Sequence, residues 1–442
     1  MTEASRIAMS AEPKELEEQV FELLADTDGN GGLSERQAAA ESGNFLRHAI
    51  SLSLSKSADG LIDPKLVLSW LLTTLGAPAF WIGLLVPVRE AGALLPQLFT
   101  AERIHAMTRR KRAWATGSIL QGGAAAGIGI AGLTLDGAAA GVVVVALLAA
   151  LAIARSVCSV SYKDVLGKTV GKTRRGTVTG LAGSISSAAI VVLALALMSG
   201  VADRQVLVIA AIVLASGLWL AAGALFATLV EERGEPKPVE GTLRSALAQL
   251  SVLNDDPQLR LFVVSRGLLV GTALAPPFLV ILASESGPGA FQRLGALVLA
   301  SSAAAFLSSY LWGRLADRSS RQVLMLAGVT AAVILGCALV AHGSGWMENA
   351  WVAPVILFGL MLAHNGVRQG RSTYLVDMAP EDMRATYTAV SNTVIGVVLL
   401  GSGLFGALAA SFGAVWTVAL FATMSMGGAL VAYRLDEVQG TG

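Results

Sequence analysis

Long apolar stretches separated by short charged segments run through most of this chain. A helix that crosses the hydrocarbon of a bilayer needs about 20 mostly apolar residues. Ten stretches meet that length: 114–134, 138–160, 177–199, 205–229, 259–283, 291–312, 323–343, 351–377, 386–410 and 414–433. The start is harder to read, because residues 46–101 are apolar but interrupted by Lys56, Asp59, Asp63, Arg89 and Glu90. One reading places a single helix at 66–88 and gives eleven crossings. The other places helix 1 at 46–75, a Gly-Ala-Pro turn at 76–78 and helix 2 at 79–101, giving twelve.

An internal repeat favours twelve. Arg175-Gly-Thr-Val-Thr-Gly-Leu-Ala-Gly-Ser aligns with Arg384-Ala-Thr-Tyr-Thr-Ala-Val-Ser-Asn-Thr, 209 residues on. Ala101-Glu102-Arg103 aligns with Ala316-Asp317-Arg318, 215 residues on. Sliding the helices at 259–283 and 291–312 back by that distance lands on the obscure opening region. The expected fold class is therefore an all-α membrane protein with twelve transmembrane helices in two pseudo-symmetric bundles of six, an arrangement that recurs in transporters.

Composition agrees. The chain is 54% hydrophobic and only 14% charged, against roughly 25% charged residues in a soluble domain. A formal net charge of +1 makes no case for nucleic acid. Cys158 and Cys337 both lie in apolar runs without metal or redox spacing, which suits packing. Charge placement says more than charge total. Under the twelve-helix reading, fourteen Lys and Arg residues fall in one set of loops, and only Arg204 and Arg293 in the other. Basic loops mark the cytoplasmic side. The expected organisation is an acidic cytoplasmic tail at 1–44, bundles at 45–230 and 258–434, a cytoplasmic linker at 231–257, and a short cytoplasmic tail at 435–442. The first 44 residues carry ten acidic against three basic side chains and do not resemble a signal peptide. Both termini are expected in the cytoplasm, with the protein in the plasma (inner) membrane.

Ionisable groups in hydrocarbon are costly, about 2.5–3.5 kcal/mol for a central Asp, Lys or Arg on insertion scales, and they usually face a cavity or a partner. Lys56, Asp59 and Asp63 fall at i, i+3 and i+7 of helix 1, on one face, with Gly60 and Pro64 placed to loosen the helix. Arg89 and Glu90 lie near the middle of helix 2 and point about 100° apart. Arg155 is on helix 4 and Arg266 early in helix 7. On helix 10, His364, Arg368 and Arg371 fall at i, i+4 and i+7 beside Asn365. Fixed ion pairs are the simpler account: Lys56 with Asp59, or Arg89 with a carboxylate of helix 1. Six cations against Asp59, Asp63 and Glu90 cannot all pair, although Arg155 and Arg371 have the reach to snorkel to the interface. The surplus points to an anionic or zwitterionic organic solute, since arginine presents a planar fork to carboxylate or phosphate. Proton coupling needs a titratable group. Asp59 and Glu90, each with a basic neighbour, are the first candidates, and His364 the second.

The loop Gly313-Arg-Leu-Ala-Asp317-Arg318-Ser-Ser-Arg321 resembles the G-x-L-x-D-R-x-G-R signature of the major facilitator superfamily, with Ser320 in place of the second glycine. It follows the eighth expected helix, as in that family. The first-half copy, Glu102-Arg103, is weaker, with an insertion before Arg109, Arg110 and Lys111. The resemblance covers roughly residues 45–434. It implies a secondary transporter working by alternating access, with Asp317 and Arg321 in a cytoplasmic charge cluster that latches one state. Drug–proton antiporters of the superfamily carry a Gly-Pro motif in helix 5; here helix 5 has no proline, which lowers the drug-efflux alternative.

In the amino-terminal tail, Asp26, Asp28 and Asn30, with Gly31 and Leu33, resemble a calcium-binding EF-hand loop, but position 12 is Gln37 instead of the bidentate glutamate. An Asp/Gly turn explains the segment more simply. A sensor or membrane-embedded enzyme is the alternative from another class. No metal-spaced His/Cys/Asp cluster and no phosphate-binding glycine loop support it. The expected partners are a small-molecule substrate, a coupling proton and the bilayer, with no nucleic acid and no cofactor, in a monomer.

Overall fold

A computed structural model describes residues 17–19, 21–22, 33–97, 100, 103–104, 106–171, 174–233, 249–286, 294–316, 318–380 and 383–439. The first half contains α1 (Glu41–Leu61), α2 (Val67–Thr74), α3 (Ala79–Leu94), α4 (Lys111–Thr134), α5 (Gly137–Thr169), α6 (Arg175–Ser199) and α7 (Arg204–Ala227). The second contains α8 (Pro257–Leu269), α9 (Gly271–Glu285), α10 (Leu294–Ala316), α11 (Ser320–Gly343), α12 (Val352–Met378), α13 (Arg384–Gly401), α14 (Leu404–Phe412) and α15 (Ala414–Tyr433). The pairs α1–α2, α8–α9 and α13–α14 are each one interrupted passage, so the chain makes twelve passages. Eight are long and apolar enough to cross a bilayer on length and hydropathy alone. The other four are the α1–α2 pair, α3, α4 and α12. Most of the interior charge sits in three of them, which lowers their hydropathy.

The obscure opening region resolves as the twelve-helix reading expects. Gly76 takes φ +70°, a left-handed turn that a side chain disfavours, and Pro78 then starts α3 with its fixed φ. The repeat is visible in the element starts: Ser320 begins α11 209 residues after Lys111 begins α4, and Arg384 begins α13 209 after Arg175 begins α6. Packing repeats too. In the first half, α1 packs on α6 and α7, α4 on α5 and α7, and α3 on α5. In the second, α8 packs on α13 and α15, α11 on α12 and α15, and α10 on α12. The halves meet where α6 crosses α10 and where α3 crosses α13 and α14.

The outer surface is apolar. Leu133, Val192, Phe306, Val340, Leu404 and Leu430 are each more than 60% exposed. A water-soluble monomer rarely exposes so much apolar surface, whereas hydrocarbon lipid requires it. Exposed Trp346, Trp351 and Trp416 gather at one end, as an interfacial aromatic belt does.

The opposite, basic end is tied together by side chains. Glu231, just past α7, accepts the backbone N–H groups of Arg110 and Lys111 at 3.0 and 2.9 Å, capping α4. At the equivalent place in the second half, Gln439 accepts the N–H of Ser320 at 2.7 Å, capping α11. Both caps satisfy donors that a helix start leaves orphaned. Glu231→Ala is expected to destabilise the protein by about 1–2 kcal/mol, read as a lower thermal unfolding midpoint in detergent; an unchanged midpoint would show the cap to be dispensable.

Next to α1, the amino-terminal segment is held firmly. Glu41 pairs with Arg174 at 2.5 Å, both nearly fully buried, and also accepts the N–H of Gly171. Asn44 exchanges two hydrogen bonds with the backbone of Val230. Phe21 packs edge-on against Phe45, under the Arg174 guanidinium.

Candidate functional site

The first passage breaks between Leu61 and Val67. Pro64 has no N–H to continue the helix. The Asp63 carboxylate takes the N–H groups of Lys65 and Leu66, and the Ser69 hydroxyl donates to the Pro64 carbonyl at 2.7 Å. The break corrects one expectation: Lys56 and Asp59 lie on α1, but Asp63 lies beyond its end, so the three do not form one helical stripe.

The break turns Lys65 toward the second half, where its Nζ lies 3.1 Å from His364 Nε2 on α12. The seventh passage is interrupted at Val270, 208 residues after the α1 cap at Ile62. There the Thr272 hydroxyl donates to the Leu269 carbonyl at 2.9 Å, and its oxygen lies 3.2 Å from His364 Nδ1. These bonds specify the tautomer. Thr272 has used its proton, so Nδ1 carries the imidazole hydrogen and Nε2 accepts from the Lys65 ammonium. His364 therefore joins the breaks of the first and seventh passages, one in each half.

A second cluster lies within the first half. Asp59 accepts from Arg89 at 2.6 Å and from Arg155, tying α1 to α3 and α5. The expected pairing of Arg89 with a helix 1 carboxylate holds. The expected pairing of Lys56 with Asp59 does not: Lys56 donates to the Thr179 carbonyl at 3.1 Å, bridging α1 to α6. Nor does Arg155 snorkel, because Asp59 captures it inside. Lys56, Asp59, Arg155, Gln121 and Tyr162 line a recess of about 250 Å³.

Arg89 and Glu90 diverge as adjacent helical residues must. Glu90 stands within electrostatic reach of Lys65 and of Arg371 on α12. Arg368 and Arg371 both act on Lys65 and His364, so Arg371 also stays inside. On the other side of Lys65, a cavity of about 210 Å³ lies between the halves, lined by Asp63, Lys65, Ser187, Ser301, Ser302 and Met361. Lys65 escaped the sequence reading because helix 1 was drawn through it. Pro64 and Gly60 were the usable signal, since irregular backbone in a membrane lines cavities. With Lys65 added, the interior cations are Lys56, Lys65, Arg89, Arg155, Arg266, Arg368 and Arg371, against Asp59, Asp63 and Glu90. The positive surplus grows.

Arg266 is set apart from this cavity. It is 7% exposed and donates to Ser391 Oγ at 2.6 Å and Asn392 Oδ1 at 2.9 Å, bracing α8 against α13. Asn365 is buried, and its amide nitrogen has no partner among the described residues.

Of the signature residues, Gly313 is on α10 near the basic end, Arg318 and Arg103 are exposed, and Glu102 and Asp317 lie outside the described residues. Arg321 donates to the Leu435 carbonyl at 3.1 Å and lies 3.5 Å from Glu437. Both contacts are to the carboxyl-terminal segment of its own half. Asp26, Asp28 and Asn30 lie outside the described residues. Gln37, twelfth in that loop, is buried, and with its amide turned to satisfy both atoms it donates to the Val230 carbonyl and accepts the Glu232 N–H.

A family model described as Major Facilitator Superfamily matches residues 49–398. Uncharacterized proteins of Mycobacterium bovis and Mycobacterium tuberculosis are 24% identical over 327 residues, covering 70% of this chain and 59% of theirs. The chain thus spans less than two thirds of these relatives. A crystal structure of the nucleoside transporter NupG is similar with a TM-score of 0.64 at 12% identity, covering 88% of this chain and 98% of that one. A D-xylose-proton symporter structure is similar with a TM-score of 0.65 at 12% identity, over 90% of this chain and 98% of that one. At those identities the likeness is one of fold.

Proposed function

Because the chain belongs to the Major Facilitator Superfamily, we propose that it is a secondary transporter carrying a small anionic or zwitterionic organic solute by alternating access, coupled to protons. The supporting observation is the charge around the cavity between the halves. Lys65 from the first half and Arg368 and Arg371 from the second face one another with Glu90 as the carboxylate among them. Cations in a low-dielectric interior are expensive to leave uncompensated. A solute carboxylate or phosphate would neutralise them and receive a bidentate arginine. Glu90 would accept the ammonium of a zwitterion. The basic face points to the cytoplasm of the plasma (inner) membrane in this reading, and the loop around Asp317 and Arg321 serves gating.

Uptake into proteoliposomes, with a broad panel of organic solutes and with and without an imposed pH gradient, tests this. Accumulation of carboxylates or zwitterions that collapses with the gradient is the expected result. Competition by hydrophobic cations alone would overturn it.

A further inference from the structure

We propose that the coupling proton binds at His364 Nε2, where it exchanges a bridge between the halves for an ion pair within one half. This rests on the proton-coupled reading above and names its site.

The geometry supplies both states. As the structure stands, Nε2 holds no proton and accepts from Lys65, so the first-passage break is fastened to α12 across the interface. Nδ1–H is committed to Thr272, whose own proton goes to Leu269. Nε2 is then the ring position left to receive a proton. Once it does, the lone pair that held Lys65 is gone, and an imidazolium faces an ammonium across the same short gap. Like charges that close repel strongly at low dielectric. Lys65 has another partner in reach: Glu90, on α3 of its own half. Transfer of Lys65 from His364 to Glu90 removes the bridge between halves and leaves an ion pair inside the first. Loss of the proton reverses the exchange.

The surroundings favour a mobile Lys65 over a fixed one. The groups facing His364 are Lys65 from the break and Arg368 and Arg371 from its own helix. Asp63 also faces Lys65, but its carboxylate is occupied by backbone N–H groups. The other elements against α12 present no charge at this level. Their charged residues, Glu285 on α9, Arg314 on α10, Arg321 and His342 on α11 and Arg384 on α13, all sit at helix ends. Asp59, the other interior carboxylate near the break, is held by Arg89 and Arg155. An aspartate gripped by two guanidiniums is a poor proton carrier.

The test measures shape, so it needs no substrate. Spin labels at Gly176→Cys on α6 and Ser372→Cys on α12, with Cys337→Ser to remove the exposed thiol, report the distance between the halves near the basic face. In liposomes the wild-type distribution should change between two populations as pH falls. His364→Gln can still accept from Lys65 but cannot take a second proton there, and should hold one distribution at every pH. Lys65→Gln removes the repulsion and should likewise abolish the pH response. A wild-type distribution that ignores pH, or a His364→Gln protein that responds like wild type, overturns the proposal. Failure of the transport reading is separate: it shows as wild-type proteoliposomes that accumulate no solute whatever the gradient.

Discussion

Asp59→Asn is expected to destabilise the protein by about 3–5 kcal/mol, the range for removing one partner of a buried ion pair. Asp59 holds Arg89 and Arg155 at once and is 18% exposed. An asparagine keeps the shape and leaves two guanidiniums without their counter-charge between α1, α3 and α5. The damage therefore comes less from the lost attraction than from stranded charge. That distinction can be measured. The double variant Asp59→Asn with Arg155→Gln removes one stranded cation and should recover part of the loss, a coupling that independent sites would not show. Thermal unfolding in detergent gives both numbers. If the single variant unfolds like wild type, the cluster is reached by water and does not hold the three passages together.

Gly406→Val is expected to shift the equilibrium between the two faces by ~5- to 150-fold, the equivalent of the roughly 1–3 kcal/mol that overpacking costs. Gly406 on α14 crosses Gly83 on α3, where the halves touch away from the basic face. A Cβ added at Gly406 would sit 2.7 Å from the Phe80 carbonyl oxygen and 3.2 Å from Gly83 Cα. Both are backbone atoms and cannot swing aside as a side chain does. The strain is relieved by parting the halves at that end, so the variant should favour the state open there. Cysteine accessibility from each side of a sealed liposome reads the shift. Gly217→Val on α7, where an added Cβ meets open space, is the matched control. Equal behaviour of the two valine variants would show that the crossing does not limit the transition.

The number of passages was legible in the sequence even where hydropathy was not. Ten helices announce themselves by length, and the remaining two follow from the repeat, because a duplicated six-helix unit must have its first two members. The boundary at Gly76–Pro78 was legible for a local reason, since a left-handed glycine and a helix-starting proline act through their own backbone. The interior charges were legible as residue types, and His364, Arg368 and Arg371 as one face, because α12 is continuous.

The partners of those charges were not legible. Helical spacing placed Lys56 beside Asp59, yet Lys56 reaches α6 and Asp59 takes arginines from α3 and α5. Arg155 and Arg371 looked free to snorkel and are both retained inside. Lys65 was overlooked until the helix was seen to stop at Leu61. By itself, then, the sequence determined how many times the chain crosses, how its halves repeat and that positive charge exceeds negative inside. Those properties belong to local pattern and composition. Only the tertiary structure decided that Lys65 meets His364 between the halves and that Asp59 is shared by two arginines. Such pairings join residues up to 299 positions apart, and they depend on where one break in one helix aims a side chain.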